Sequence, residues 1–263
     1  MPCLASFLPE RWTHLLCSVS IECVMPKPVG KLFCSNLNRW TYATWMSIDR
    51  NYLYVETPKV CCTTIKQVLQ RGAGLKLPAQ EQKIHYRNPS FEYVDSVRNF
   101  IDCVDGLIDR GLFVFAFTRS PYERLISAYR DKVLRSQGKF WKSYRESIRD
   151  LNGLRSDEEI SFRAFINYVE DTPDRKRDIH WRSQAMLLRP DVIKYSFLGR
   201  FDSFREDLYK ILEILAIDPG LVPEGAVNST QEFSGPEVDA TLAAEKQRIR
   251  DLYDIDYATF GYQ

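Results

Sequence analysis

Apolar positions along the chain change their spacing in a repeating order. Tyr52-Leu53-Tyr54-Val55-Glu56 is a short β-rich run that Thr57-Pro58-Lys59 breaks, and from Thr63 onward Ile65, Val68 and Leu69 recur at i, i+3 and i+4, the spacing of one helix face. This pattern predicts a strand, a tight loop and a helix. The same order returns at Phe113-Val114-Phe115-Ala116-Phe117, a continuous apolar run of the kind carried by a parallel strand covered on both faces. After Thr118-Arg119, Ser120-Pro121-Tyr122-Glu123 reads as a capping box, with Ser at the N-cap, Pro at the first helical position and Glu three residues later. Tyr122, Leu125, Ile126, Tyr129 and Val133 then share one face of the helix that follows.

Beyond these two units the pattern weakens. It predicts a polar stretch over about 135–160, a helix at Phe162–Glu170, a strand-like segment at Val192–Phe197 and a helix opened by a second capping box, Ser203 to Glu206, that ends near Ile217-Asp218-Pro219-Gly220. Ser234-Gly235-Pro236-Glu237 is expected to open the last helix. Residues 1–45 lack periodicity and read as an irregular extension, leaving 46–263 as the folded domain. Strands alternating with helices predict an α/β fold with a central, mostly parallel sheet flanked by helices, and 263 residues suit one such core.

Composition narrows the partners. Lys and Arg number 36 against 35 Asp and Glu, a net charge of +1, so no bulk field points to nucleic acid or to an anionic membrane and any anion site must be local. Seven cysteines with no Cys-x-x-Cys pair indicate neither a complete disulfide framework nor a zinc knuckle. The apolar run Leu15–Val24 is interrupted by Glu22 and falls short of the roughly 20 residues a spanning helix needs. It also lacks the flanks of a signal peptide, so no membrane span is expected.

The loop of the first unit, Thr57-Pro58-Lys59-Val60-Cys61-Cys62-Thr63-Thr64, aims backbone N–H groups and a helix dipole at one point, to which Lys59 adds a charge and Thr63 and Thr64 add hydroxyls. It contains no glycine and does not match a Walker A loop, which disfavours an ATP-dependent phosphotransferase. The second unit places Arg119 at a strand end and Ser127 two turns into the following helix, where a guanidinium fork and a hydroxyl can meet a second phosphate. Two anion sites at two strand ends suit a ligand with two separated phosphate-type groups, bound where open α/β sheets bind ligands.

Four stretches, in order, resemble the carbohydrate sulfotransferases. Pro58-Lys59-Val60-Cys61-Cys62-Thr63-Thr64 is similar to their 5′-phosphosulfate loop, and the run from Phe117 to Lys132 is similar to their 3′-phosphate motif. His180-Trp181-Arg182-Ser183-Gln184 and the ending Leu252–Tyr262 look like the branch that contains the chondroitin, dermatan and HNK-1 enzymes (sulfotransferase family 2). The resemblance implies the P-loop-like sulfotransferase fold and transfer of a sulfuryl group from 3′-phosphoadenosine 5′-phosphosulfate (PAPS) to a carbohydrate hydroxyl, with no metal. By that resemblance Lys59, Cys62, Thr63 and Thr64 contact the 5′-phosphosulfate, and Arg119 and Ser127 hold the 3′-phosphate; Arg200, in Gly199-Arg200-Phe201, is a further candidate for a cofactor contact, and it and Gln184 could instead meet the substrate. His180, Trp181 and Gln184 fall to the acceptor. The departure is Cys61-Cys62, where many relatives carry a smaller residue.

The chemistry asks for a cation, met by Lys59, and a base, for which His14, His85 and His180 are the histidines at hand. His85 stands where the relatives carry a catalytic histidine and is the expected base. Phe140-Trp141, among Lys139, Lys142 and Arg145, is a candidate platform for an anionic sugar. Asn228-Ser229-Thr230 fits a glycosylation acceptor and also resembles an Asn-containing loop near the cofactor in relatives. Two other functions share these residues: a non-catalytic nucleotide- or glycan-binding protein of the same fold, and a sulfotransferase for a small-molecule or lipid alcohol. Animal relatives carry an N-terminal Golgi anchor; without one in this chain a cytoplasmic enzyme is expected, with the Golgi lumen or secretory pathway as the alternative. The oligomeric state is left open.

Overall fold

The computed structural model describes residues 44–47, 50–75, 111–223 and 245–263. Four strands form one sheet: β1 (Thr44–Ser47), β2 (Tyr52–Val55), β3 (Phe113–Thr118) and β4 (Phe197–Arg200), in the order β1-β2-β3-β4. β2, β3 and β4 run parallel, with Val55 opposite Ala116 and Thr118 opposite Arg200, and β1 closes one side as an antiparallel strand. The helices are α1 (Cys62–Gly72), α2 (Pro121–Ala128), α3 (Lys139–Asn152), α4 (Phe162–Asp171), α5 (Gln184–Leu188), α6 (Phe204–Ile214), α7 (residues 245–252) and α8 (Asp254–Phe260). This is the α/β architecture that the alternating pattern implies.

Successive strand residues point to opposite faces of a sheet, and the sequence loads the two faces differently. Leu53, Val55, Val114 and Ala116 face a core shared with Leu125, Phe165, Ile166 and Trp181. Tyr52, Tyr54, Phe115 and Phe117 face the other, shared with Ile65, Val68 and Leu69 of α1 and with Leu208 and Ile211 of α6. On that aromatic face Tyr54 and Phe115 stack with centroids 5.1 Å apart. The ring of Phe117 also lies over Gly199 of β4: a Cβ there would sit 2.4 Å from a ring carbon, so only glycine admits this packing.

Several expectations shift. β1 begins inside the stretch read as an irregular extension, so a boundary at residue 46 cuts through a strand; its four residues are too few to show a period. The strand-like segment Val192–Phe197 yields to β4 at Phe197–Arg200, because Val192 and Ile193 close a turn onto Arg189 and Ile193 goes to the core as part of that turn. The polar stretch at 135–160 contains the 14-residue α3, which fully buries only Ile148 and so carries little apolar signal. The helix through Val133 is α only to Ala128; Tyr129–Arg135 is a π-helix. Ser120 and Ser203 make no side-chain cap bond: Ser120 bonds Tyr257, and Ser203 Oγ donates to Asp207.

Candidate active site

The loop between β2 and α1 turns without glycine. Lys59 and Cys61 take left-handed conformations, φ 69° and 52°, each at a cost of about 1–3 kcal/mol for a residue with a Cβ. Cys61 precedes α1 and supplies no capping side chain, and the first turn holds no acid. The helix therefore opens with its positive dipole end toward the loop and no side chain of Cys61 across it. Thr63 and Thr64 lie in that first turn, Thr64 buried. Below the loop, Lys66 and Glu56 form a buried ion pair. Burial, helped by Glu56, pushes the Cys62 thiol up to about 12; burial does the same for Cys61 against the opposing charge of Arg119. Neither sulfur is a thiolate at neutral pH.

Lys59 reaches across to the π-helix. Its Nζ donates to Asp131 Oδ2 at 2.7 Å, and Lys132 Nζ lies 3.1 Å from the same oxygen. Burial lowers the Lys59 pKa, with Asp131 opposing. Burial pushes the Asp131 carboxyl up, yet the two lysines outweigh it and hold it below the ordinary carboxylate range. The wider π turn is the local structure that presents Asp131 and Lys132 to the loop. Lys132 Nζ sits 5.0 Å from the centre of the Trp141 ring, whose edge meets His180 with centroids 5.2 Å apart. His180 Nδ1 is 2.5 Å from Asp178 Oδ1. Lys59, Asp131, Lys132, Trp141 and His180 thus form a continuous line of contacts.

At the end of β3, Arg119 is buried, stacks its guanidinium 3.8 Å from the Phe201 ring centre and donates from Nη1 to the Lys59 carbonyl at 3.4 Å. Its Nε meets Glu123 at 3.2 Å. Its backbone is held on both sides by Gln184, which accepts from Arg119 N at 2.9 Å and donates to Arg119 O at 2.7 Å. Asp256 of α8, fully buried, accepts from the backbone of Gln184 and Ala185 at 2.8 and 2.7 Å and so closes the N-terminus of α5. Ser127 is buried two turns into α2. Arg124, also in α2, donates to the carbonyls of Pro58, Arg182 and Ile179 at 3.0, 2.7 and 2.7 Å, joining the Lys59 loop to the segment that carries His180.

The structure therefore brings Lys59, Cys62, Thr63, Thr64, Arg119, Ser127 and His180 to one end of the sheet. Trp181 and Gln184 lie beneath it. Trp181 is 1% exposed and packs against Tyr144 and Phe165, and the Gln184 amide is engaged with Arg119, so both are placed to support neighbours rather than to face an acceptor. Arg200 donates to Phe260 O at 2.6 Å and lies over the Tyr262 ring, which ties it to the C-terminal segment. His14, His85, Asn228 and the helix expected from Ser234 lie outside the described residues. Asp131, Lys132 and Arg124 lie within the stretch that resembles the 3′-phosphate motif but carry no expected role in it, and Asp178 stands outside every motif. Only the spacing Asp178-x-His180 could have marked it.

The donor set fits a ligand with two anionic groups. An ammonium, two hydroxyls and a helix N-terminus with no acid in its first turn stand at one strand end, and a guanidinium and a hydroxyl stand at the next. Among the described residues no group of three or more His, Cys, Asp or Glu is placed to hold a metal ion, and no helix is long and apolar enough to cross a membrane.

Residues 42–263 match the model of the sulfotransferase family (Sulfotransfer_2). Curated relatives include carbohydrate sulfotransferase 8 of Homo sapiens, 28% identical over 97% of this chain and 61% of that protein. Carbohydrate sulfotransferases 11 and 12 of Mus musculus are 23% and 27% identical, over 81% and 80% of this chain and 65% and 57% of theirs. The chain thus spans about 60% of the length of the relatives it matches first. No solved structure matches it at a significant level. The expectation of a cytoplasmic enzyme is corrected by these relatives: they are animal carbohydrate sulfotransferases, the group for which the sequence reading itself names the Golgi.

Proposed function

This chain belongs to the sulfotransferase family, and on that premise we propose that it moves the sulfuryl group of PAPS onto a hydroxyl of a carbohydrate. The observation that carries the reading is the meeting of Lys59 and Arg119 at the ends of two adjacent parallel strands, with Arg119 Nη1 3.4 Å from the Lys59 carbonyl. Two cationic side chains on neighbouring strand ends, backed by the dipole of a helix start, answer a ligand with a 5′-phosphosulfate and a 3′-phosphate.

In this reading Lys59, Cys62, Thr63 and Thr64 hold the 5′ end, Arg119 and Ser127 hold the 3′-phosphate, and Arg200 steadies the C-terminal segment beside them. The donor supplies, when bound, a sulfuryl group on a phosphate leaving group. Lys59 meets the negative charge that grows on the leaving oxygen, while Lys132 stays with Asp131. The ring of Trp141, with Lys132 above it and the 58% exposed Phe140 beside it, supports an apolar surface for a sugar ring with a cation for its carboxylate or sulfate. His85, which the sequence nominates as the base, lies outside the described residues. The reading calls for no metal.

Calorimetric titration with adenosine 3′,5′-bisphosphate, with adenosine 5′-phosphate as control and no metal present, tests the donor site. Binding that depends on the 3′-phosphate is expected, and its absence would refute the reading. Transfer of radiolabelled sulfur from PAPS to chondroitin and dermatan, with chelator present, tests the acceptor. Binding without transfer to any glycan or alcohol would mark the non-catalytic form of the fold.

A further inference from the structure

We propose that His180 is the general base that takes the proton from the acceptor hydroxyl, and that Asp178 is its positioning residue. The inference rests on the sulfotransferase reading above and gives the base to a residue other than His85. Three observations carry it. The His180 Nδ1 to Asp178 Oδ1 contact is 2.5 Å, and Asp178 Oδ1 also accepts from the His180 backbone N–H at 3.0 Å. A carboxylate on Nδ1 requires the proton to sit there, which leaves Nε2 with its lone pair as the acceptor. The His180 ring also packs at 5.2 Å between centroids against Trp141, which in turn carries Lys132, the neighbour of Lys59 on Asp131. His180 is thus oriented by Asp178 and connected through Trp141 and Lys132 to the lysine of the transfer step, the arrangement in which a third group orients a base.

The electrostatics agree with the geometry. Burial lowers the His180 pKa below its ordinary value; Asp178 opposes this, and the charges of Lys132 and Lys59 add to the lowering. The imidazole is therefore neutral, and able to accept a proton, at pH 7. Asp178 is ionised: burial raises its carboxyl, but His180 and Arg182 outweigh that. Tyr144 also faces Asp178 and stays protonated, with burial first among the causes that push it up to about 12. The other carboxylate here, Asp131, is a poor base because two lysines share it and hold its pKa down.

The step balances as follows. The acceptor O–H bond breaks and its proton goes to His180 Nε2, while the acceptor oxygen bonds to sulfur. The bond between sulfur and the bridging phosphate oxygen breaks with its electron pair left on that oxygen. Adenosine 3′,5′-bisphosphate departs, and the imidazolium, stabilised by Asp178, returns the proton to solvent.

The test uses the full chain with radiolabelled PAPS and chondroitin, and adenosine 3′,5′-bisphosphate calorimetry on every variant. His180→Ala and His180→Gln are each expected to lower kcat by about 10²–10⁴-fold with nucleotide affinity unchanged within twofold. Asp178→Asn is expected to lower kcat and to move the acid limb of the kcat/KM profile to lower pH, because the imidazolium loses its counter-charge. Transfer within threefold of wild type in the His180 variants would overturn the proposal. So would loss of nucleotide binding together with transfer, or an unmoved acid limb in Asp178→Asn. A large kcat loss in His85→Ala alone would return the base to His85. A wild-type protein that binds no adenosine 3′,5′-bisphosphate fails the sulfotransferase reading itself, a result separate from all of these.

Discussion

Lys59 Nζ and Asp131 Oδ2 lie 2.7 Å apart across 72 residues of sequence, joining the loop after β2 to the π-helix after β3. Burial lowers the Lys59 pKa and Asp131 is the largest influence that raises it. In Asp131→Asn that support is gone, so the pKa falls further and the ammonium is lost at lower pH. The alkaline limb of the pH–rate profile is therefore expected to move to lower pH, with the activity at pH 6–7 less affected than at pH 9. Profiles of both proteins measured over this span check it; coincident alkaline limbs would show that Lys59 does not need Asp131.

Arg119 has its backbone gripped by Gln184 and its side chain on Phe201. Arg119→Ala removes only the side chain and leaves the backbone grip in place. Loss of a desolvated charge contact costs on the order of 2–5 kcal/mol. The variant is expected to bind adenosine 3′,5′-bisphosphate weaker by about that amount, while adenosine 5′-phosphate affinity changes little. Calorimetry with both nucleotides makes the comparison, and equal losses for the two would contradict the 3′-phosphate assignment.

Arg124 is buried with three carbonyl partners in two segments. Leaving a buried polar group without its partner costs about 1–3 kcal/mol each, so Arg124→Met is expected to lose on the order of 3 kcal/mol or more of stability in urea unfolding. Arg124→Lys, whose single ammonium cannot reach three carbonyls in fork geometry, is expected to recover only part of this.

Gly199 faces the ring of Phe117 inside the aromatic core, with no room for a Cβ. Gly199→Ala is expected to cost about 1–3 kcal/mol through overpacking, read as a lower urea midpoint with an unchanged slope. The double variant Gly199→Ala with Phe117→Leu should restore part of it, since the clash is with ring atoms.

Strongly periodic and locally encoded features were legible in the sequence: β2 with α1, β3 with α2, and the loop that places Lys59 beside two threonines. Short-range sterics and amphipathic spacing specify these within a dozen residues. Arg119 and Ser127 could be placed by the same logic, because a strand end and the next two helical turns have fixed relative positions. β1, β4 and α3 were poorly legible. A four-residue strand has too few positions to show a period, and α3 meets the core mainly through Ile148 and the edges of its aromatics.

Tertiary structure decided the rest. The π-helix that turns Asp131 and Lys132 toward Lys59 arises from a sequence that continues an ordinary helical period. The burial of Gln184 depends on α8, since Asp256 closes α5 from 71 residues away, and that of Trp181 on Tyr144 and Phe165 from α3 and α4. The pairing of His180 with Asp178 is local, but its connection to Lys59 passes through Trp141 and Lys132, which come from two other elements. Spacing along a chain specifies what neighbours do; it carries no information on which distant groups packing will bring together, and the burial that lowers the Lys59 and His180 pKa values, like the Asp131 charge on Lys59, is of that distant kind.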